Sequence, residues 1–287
     1  MPPEAKPTAA QIIDTQREDW NRVAPAWEKW DRRLEENMAF VNHRLVADAR
    51  LRSGLRVLDL GSGTGCPALL AAQAVGSGGG VIGLDLADRM LAIARRKASA
   101  LGLSNVTFQT GDISSLPFEP ASFDAVTSRF CLMFLPEIPK TLAEIARVLK
   151  PSGYLAAAVW SEPERNPLIT LPMKVLASYL PLPPPDPEQP GIFRLARKGD
   201  LAGMVMQAGL LGLEDEEVTG ESFYDSADEY YESLTDMAAP LQPLFAKLSA
   251  SDQTEAAAQI KREVERYRRG RMIAIPMAIR IVVARKP

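Results

Sequence analysis

Val57-Leu58-Asp59-Leu60-Gly61-Ser62-Gly63-Thr64-Gly65 sets three apolar residues around one Asp, then breaks into three glycines at alternate positions. A short apolar run that ends in glycines reads as a buried parallel strand entering a tight turn. Glycine has no Cβ, so a ligand can lie against bare backbone there. The apolar stretch 67–75 follows as a helix, with Pro67 suited to its first turn. Strand, glycine turn and helix together form a nucleotide-binding arrangement.

The dinucleotide fingerprint G-x-G-x-x-G would need its third glycine at position 66, which is Cys66. Asp59 also stands two residues before the turn, where it would repel a diphosphate. A ligand carrying an ammonium and a sulfonium would be attracted instead, and S-adenosylmethionine (SAM) carries both. Asp59 is a candidate to hold the amino group, directly or through water, or to bond the amides of the turn.

The following segments come at matching intervals. Gly80-Val81-Ile82-Gly83-Leu84-Asp85 is a second strand ending in an acid, which suits a ribose diol because a carboxylate accepts from both hydroxyls. A third strand, Val106-Thr107-Phe108-Gln109, runs into Gly111-Asp112-Ile113. Asp112 is a candidate to accept from an adenine amine, with Ile113 packed on the ring. A fourth strand, 123–127, leads to Ser128-Arg129-Phe130. A helix over 139–149 turns through Lys150-Pro151-Ser152-Gly153 into a fifth strand over 154–160. Alternating strands and helices imply right-handed crossovers and a doubly wound parallel sheet.

The runs 57–65, 83–85, 111–112, 123–129 and 145–153 together resemble a class I SAM-dependent methyltransferase. More narrowly, they resemble the small-molecule group that includes the ubiquinone and menaquinone C-methyltransferases (methyltransferase type 11-like). The resemblance implies an α/β, Rossmann-like, doubly wound seven-stranded sheet. Its last strand, residues 272–284, would be antiparallel and inserted between the fifth and sixth. It also implies N-terminal helices, a helical cap and SAM as cofactor, giving S-adenosylhomocysteine. The implied cofactor residues are Asp59, Gly61, Ser62, Gly63, Asp85, Leu86, Asp112, Ile113 and Ser128. Trp27, after Val23-Ala24-Pro25-Ala26, matches an aromatic that closes over the cofactor. The run 145–153 departs from the family in one place: it commonly ends Pro-Gly-Gly, and Ser152 takes the middle position at little expected cost.

The chain has 287 residues, 46% of them hydrophobic, enough for one large α/β domain with elaborations. A net charge of −3 gives no electrostatic footprint for nucleic acid. Ser128-Arg129-Phe130-Cys131 also lacks the Asp/Asn-Pro-Pro-aromatic motif of nucleic-acid amine methylation. Two cysteines without metal-ligand spacing, and no apolar leader or span, give the expectation of a cytoplasmic protein without a metal. Residues 1–54 read as a helical segment closing over the cofactor. Residues 1–10 are a frayed arm, Thr8-Ala9-Ala10-Gln11 a capping box, and 37–51 a second helix. Residues 55–160 are the core. Residues 161–287 hold the remaining strands, with helical insertions at 161–200 and 222–270. Within them, 168–180 reads as a helix, 181–191 with six prolines as an extended loop, and 200–208 as a helix capped by Asp200. A sixth strand falls near 211–218, and capping boxes fall at 226–229 and 252–255, the latter opening a helix to Gly270. Its arginine-rich end, 262–271, reads as a solvated helix terminus. The proline-rich loop fits a homodimer contact as well as a lid.

Methyl transfer is an in-line displacement in which the protein supplies alignment, so no catalytic signature is required. His43, the only histidine, is a candidate base, although its helical setting equally fits a structural role. Arg129 is a candidate to bind a carboxylate or to pair with a surface acid. Phe130, Met133, Phe134, Met173 and Tyr224 are candidates for an apolar acceptor pocket, with Met204, Met206 and Phe223 near them in composition. The sequence thus points to SAM-dependent methylation of a small apolar or aromatic molecule at oxygen, carbon or nitrogen. Two alternatives stand beside it: a SAM-binding sensor or assembly protein, and an NAD(P)-dependent oxidoreductase, which Cys66 and Asp59 disfavour.

Overall fold

The computed structural model describes residues 6–182, 186 and 189–287. Two helices, α1 (Ala9–Lys29) and α2 (Asp31–Asp48), precede the sheet. Thr8 caps α1 as expected: the Gln11 amide donates to Thr8 Oγ1 (3.3 Å) and the Thr8 amide to Gln11 Oε1 (2.8 Å). Helix α2 starts earlier than residue 37 and directly follows α1. Five strands and three helices follow: β1 (Arg56–Leu60), α3 (Ala68–Val75), β2 (Gly80–Asp85), α4 (Asp88–Ala100), β3 (Val106–Thr110), β4 (Phe123–Arg129), α5 (Ile138–Val148) and β5 (Leu149–Trp160); the expected alternation is broken once, because β3 runs to β4 without a helix. The remainder comprises α6 (Pro167–Leu176), α7 (Asp200–Gln207), β6 (Leu211–Tyr224), α8 (Ala227–Met237), α9 (Gln242–Ala246), α10 (Ala250–Glu265), β7 (Arg268–Arg269) and β8 (Met272–Arg285).

The sheet order is β3-β2-β1-β4-β5-β8-β6. The two-residue β7 pairs with β8 and makes an eighth strand beside the seven expected. Strands β1 to β5 are parallel, and β8 is antiparallel to both β5 and β6. Strand β8 is buried along most of its length, so Ile279, Ile281, Val282 and Val283 meet apolar neighbours. The edge strand β6 carries Glu214, Asp215, Glu216 and Glu217, charges that discourage pairing with another chain. The order reverses between β1 and β4, so their carboxyl ends open onto a crevice.

The pairing of β5 with β8 stops at Trp160 and Ile279, whereas β6 and β8 stay paired from Thr219 and Ala278 to Tyr224 and Ile273. That two-stranded ribbon projects past the sheet and carries a second apolar cluster. Leu171, Val175 and Leu176 of α6, Tyr230 of α8, and Ile260 and Val264 of α10 pack there on Ile273 and Ile275.

Several local expectations are corrected. Asp200 is the first residue of α7, and the cap position is Gly199, whose amide donates to Asp215 (2.7 Å). Helix α10 starts at Ala250 under Ser249, so the 252–255 box is unused, and it ends at Glu265 rather than Gly270. Arg268 pairs with Glu265 and Arg269 with Glu221, consistent with a solvated terminus. Helix α6 stops at Leu176, short of residue 180. The expected loop 181–191 falls partly outside the described residues, as does the first half of the expected arm 1–10, whose last two residues already belong to α1. Among the described residues, no helix is long and apolar enough to cross a membrane.

Candidate functional site

The glycine turn is stitched to the end of β2. The amides of Gly61 (2.8 Å) and Ser62 (3.2 Å) both donate to the Leu84 carbonyl. Gly61 has φ +70°, and a Cβ there would lie 2.5 Å from Cys131 Cβ and Sγ, so only glycine fits. Gly63, at φ +51°, lines the cleft, and a Cβ there would meet no protein atom within 4 Å.

Asp59 is wholly buried. Its Oδ1 accepts from Thr127 Oγ1 (2.7 Å) and its Oδ2 from Ser62 Oγ (2.8 Å). Burial pushes its pKa up to about 6, against the two hydroxyl donors and the positive field of Arg129. It does not line the cleft; Ser62 does, and occupies one of its oxygens. The expected direct contact between Asp59 and a ligand is therefore corrected. Burial keeps the carboxylate behind the turn, where it bonds a hydroxyl rather than the turn amides.

Asp85 does line the cleft. Its Oδ2 accepts from the Gly63 amide (2.8 Å) and its Oδ1 from the Ala87 amide (2.9 Å). Burial raises its pKa, and the amides of Ala87, Gly63 and Leu86 oppose that rise. Each carboxylate oxygen has a further lone pair for a ligand hydroxyl. Leu86, Met90 and Ile113 form an apolar wall beside it. Asp112 is not among the lining residues; its two oxygens accept from the amide (2.8 Å) and hydroxyl (2.7 Å) of Ser114. Ser128 is also outside: it is buried and donates to the Leu60 carbonyl (3.2 Å).

The far wall comes from β4 and the turn after it. Arg129 lines the cleft and donates to Asn42 Oδ1 (2.6 Å), and burial lowers its pKa. Phe130 stacks on Trp160 with centroids 4.5 Å apart and planes 10° apart. Phe134, Leu135 and Cys131 continue this wall. Burial raises the Cys131 pKa well above its ordinary value and that of Cys66 to about 12, so neither thiol ionises near neutral pH. Gln16, Trp20 and Trp27 of α1 cover the cleft; Trp20 packs edge-on against both Trp27 and Phe134, each at 5.8 Å. The enclosed volume is about 120 Å³.

Other candidates lie elsewhere. His43 is exposed on α2 and is not among the residues that line the cleft. Met133 is wholly buried in the main core. Met173 and Tyr224 belong to the second apolar cluster, where Tyr224 packs edge-on against Tyr230 at 5.2 Å. Of the expected acceptor pocket, Phe130 and Phe134 remain; Met206 and Phe223 are exposed. Sequence reasoning missed Gln16, Trp20, Thr64, Met90, Cys131 and Leu135 as lining residues. Gln16, Trp20 and Trp27 fall on one helical stripe, a signal the sequence carried. The approach of Cys131 to Gly61 had no such signal.

Residues 51–174 match the family model described as a methyltransferase domain. A demethylmenaquinone methyltransferase of Symbiobacterium thermophilum is 35% identical over 168 residues, 56% of this chain and 62% of that relative. The chain thus spans less than two thirds of that relative's length. Among solved structures, the YcgJ protein of Bacillus subtilis superposes with a TM-score of 0.55 at 20% identity, covering 85% of this chain and 97% of that one. The [4+2]-cyclase SpnF superposes at 0.57 with 22% identity, covering 98% and 97%. At these identities the structural likenesses establish the Rossmann-like fold alone, and the same outline serves a protein named for a cyclisation.

Proposed function

We propose that the chain, which over residues 51–174 matches a methyltransferase domain, is a class I SAM-dependent methyltransferase that binds SAM in this cleft and transfers its methyl group to a small apolar or aromatic acceptor. The observation that carries this reading is Asp85 at the end of β2, anchored to the Gly63 amide and facing the same cleft as the glycine turn. A carboxylate there suits a ribose diol, and Leu86, Met90 and Ile113 suit a flat base. The buried Asp59 behind the turn suits a positively charged ligand and opposes a diphosphate. The residues present therefore fit a nucleoside that carries a cation and no phosphate.

When bound, SAM supplies a methyl group already activated by its sulfonium. The protein's share is alignment and dryness. Asp85 and the apolar wall would orient the nucleoside, and Trp20 and Trp27 would exclude water. Among the described residues Asp85 is the only carboxylate lining the cleft, and in this reading the ribose hydroxyls take its remaining lone pairs, which leaves it no role as a general base. The acceptor would then arrive with a nucleophile that needs no deprotonation by the protein: a neutral amine, a thiolate, or an ionised phenol or quinol. The relative's name points to a quinone-derived aromatic, and the Phe130 wall suits a flat ring. A cytoplasmic setting belongs to the same reading, in keeping with two cysteines that form no disulfide.

The test is transfer from isotopically labelled SAM to phenols, quinols, amines and thiols, read by mass spectrometry. A labelled product is expected from the parent chain and not from Asp85→Ala. An Asp85→Ala protein that bound S-adenosylhomocysteine as tightly as the parent would refute the site.

A further inference from the structure

Among the described residues Arg129 is the only positively charged side chain lining the cleft, and no acid pairs with it. Other enclosed arginines are matched. Arg280 meets Asp215 (2.9 Å), Arg33 meets Glu229 (2.9 Å), and Arg44 meets Asp48 (2.6 Å). Arg129 has one neutral side-chain partner, Asn42 Oδ1, and the edge of an aromatic face, its guanidinium carbon 6.0 Å from the Phe130 centroid. Asp59, Glu35 and Asp31 act on it only through space. A guanidinium presents five N–H donors in a planar fork, so most of this one's capacity is unassigned. An enclosed cation without a counter-charge is costly, and a ligand anion would remove that cost.

We propose that Arg129 is a carboxylate receptor, completed by the amino-acid end of the bound cofactor. The inference rests on the cofactor reading above. If Asp85 and the wall of Leu86, Met90 and Ile113 hold the nucleoside, Arg129 with Gly61, Ser62 and Thr64 is left for the other end. That end of SAM is a zwitterion and needs one cation and one anion nearby. Arg129 supplies the first in contact, and Asp59 supplies the second from behind the turn. Asn42 of α2 accepts from one terminal nitrogen of the guanidinium, which leaves the rest of the fork for a ligand. The same chemistry has a second source, a carboxylate on the acceptor, and the test separates the two.

Calorimetry on the full chain compares S-adenosylhomocysteine with its decarboxylated analogue, which keeps the nucleoside, thioether and amine. Arg129→Met is expected to weaken S-adenosylhomocysteine about 10- to 100-fold and to leave the analogue unchanged. Arg129→Lys should fall between parent and Met variant, because it keeps charge without the fork. If S-adenosylhomocysteine binding is unchanged but benzoate, titrated onto the loaded parent, binds and loses that binding in Arg129→Met, the receptor stands and the acceptor supplies the carboxylate. Equal weakening of both nucleosides would mark Arg129 as a structural support and overturn the proposal. So would no change in either nucleoside and no Arg129-dependent benzoate binding. A parent chain that binds neither nucleoside would instead refute the cofactor reading.

Discussion

Asp59 carries a charge at a position where burial opposes it. Its folded pKa of about 6 lies above the ordinary 3.8, so the folded chain takes up a proton more readily than the unfolded one. Its contribution to stability is therefore greatest below the ordinary value and is lost as pH rises from about 4 to about 6. At neutral pH the ionised form costs about 3 kcal/mol, a large share of a domain's net stability. Asp59→Asn keeps hydrogen-bonding capacity for Thr127 and Ser62 and removes the charge. It should raise stability at pH 7.5 by up to about 3 kcal/mol and flatten the fall between pH 4.5 and 7.5. Urea unfolding at both pH values measures this, and an Asn variant that is weaker at both would contradict it. Ser152 is a second conflict of local and global demands. Its φ of +67° places a side chain in the left-handed region, with its hydroxyl accepting from Arg285 (2.7 Å) at the surface. A glycine at this place would relieve that conformation, so the small cost expected from the sequence has a backbone cause. Ser152→Gly should gain about 0.5–1 kcal/mol, read as a higher urea midpoint with unchanged slope. A loss would show that the Arg285 contact outweighs the strain.

Helix α1 covers the cleft with Gln16, Trp20 and Trp27. A cleft of about 120 Å³ is well below the ~300–1,000 Å³ that clefts for drug-sized ligands occupy, so α1 must move for a nucleoside to enter. Its far end is tied to α8. Lys29 reaches Glu232 (2.6 Å) and Asp236 (2.8 Å), and Trp30 Nε1 donates to Asp236 (2.9 Å). Asp236→Ala removes two of these ties at once. It should speed both entry and release of S-adenosylhomocysteine severalfold, followed by stopped-flow fluorescence of Trp20 and Trp27; unchanged rates would exclude α1 as the gate. This element also shows what a sequence can carry. The Thr8–Gln11 box is local, so its hydrogen bonds could be anticipated from spacing. The strands around Asp59 and Asp85 were legible because a parallel core leaves apolar runs ended by glycines and acids. Other features depended on tertiary contacts. Pro25 stands inside α1, where proline usually ends a helix. Asp112 and Ser128 had the right spacing, but Ser114 and the Leu60 carbonyl claim their polar atoms. Met173 and Tyr224 are apolar enough for a pocket, yet composition does not say that a second cluster on the ribbon would claim them.

The glycine turn sits on a central sheet, and helices outside that sheet pack over the cleft. Strands β1, β4, β5 and β8 lie in the middle of the sheet, with Val57, Leu58, Val126, Leu155 and Ile281 fully buried, so opening them approaches global unfolding. Helix α1 is fastened to α8 largely by exposed ion pairs, which hold weakly, and α8 stands on the second apolar cluster. Hydrogen exchange should therefore show α1 and α8 opening well before the central strands. A ligand that binds only the closed form deepens closure by mass action, by about 2.7 kcal/mol at one hundred times its dissociation constant. Where local opening governs exchange, that amounts to roughly a hundredfold slowing. S-adenosylhomocysteine should therefore slow exchange in α1, α8 and the 61–64 turn and leave β5 and β8 nearly unchanged. The pattern separates closure from general stabilisation, because a ligand that tightened the whole fold would slow the central strands as well. Protection confined to β5 and β8 would place the ligand elsewhere, and uniform protection would mean that α1 is part of the rigid core.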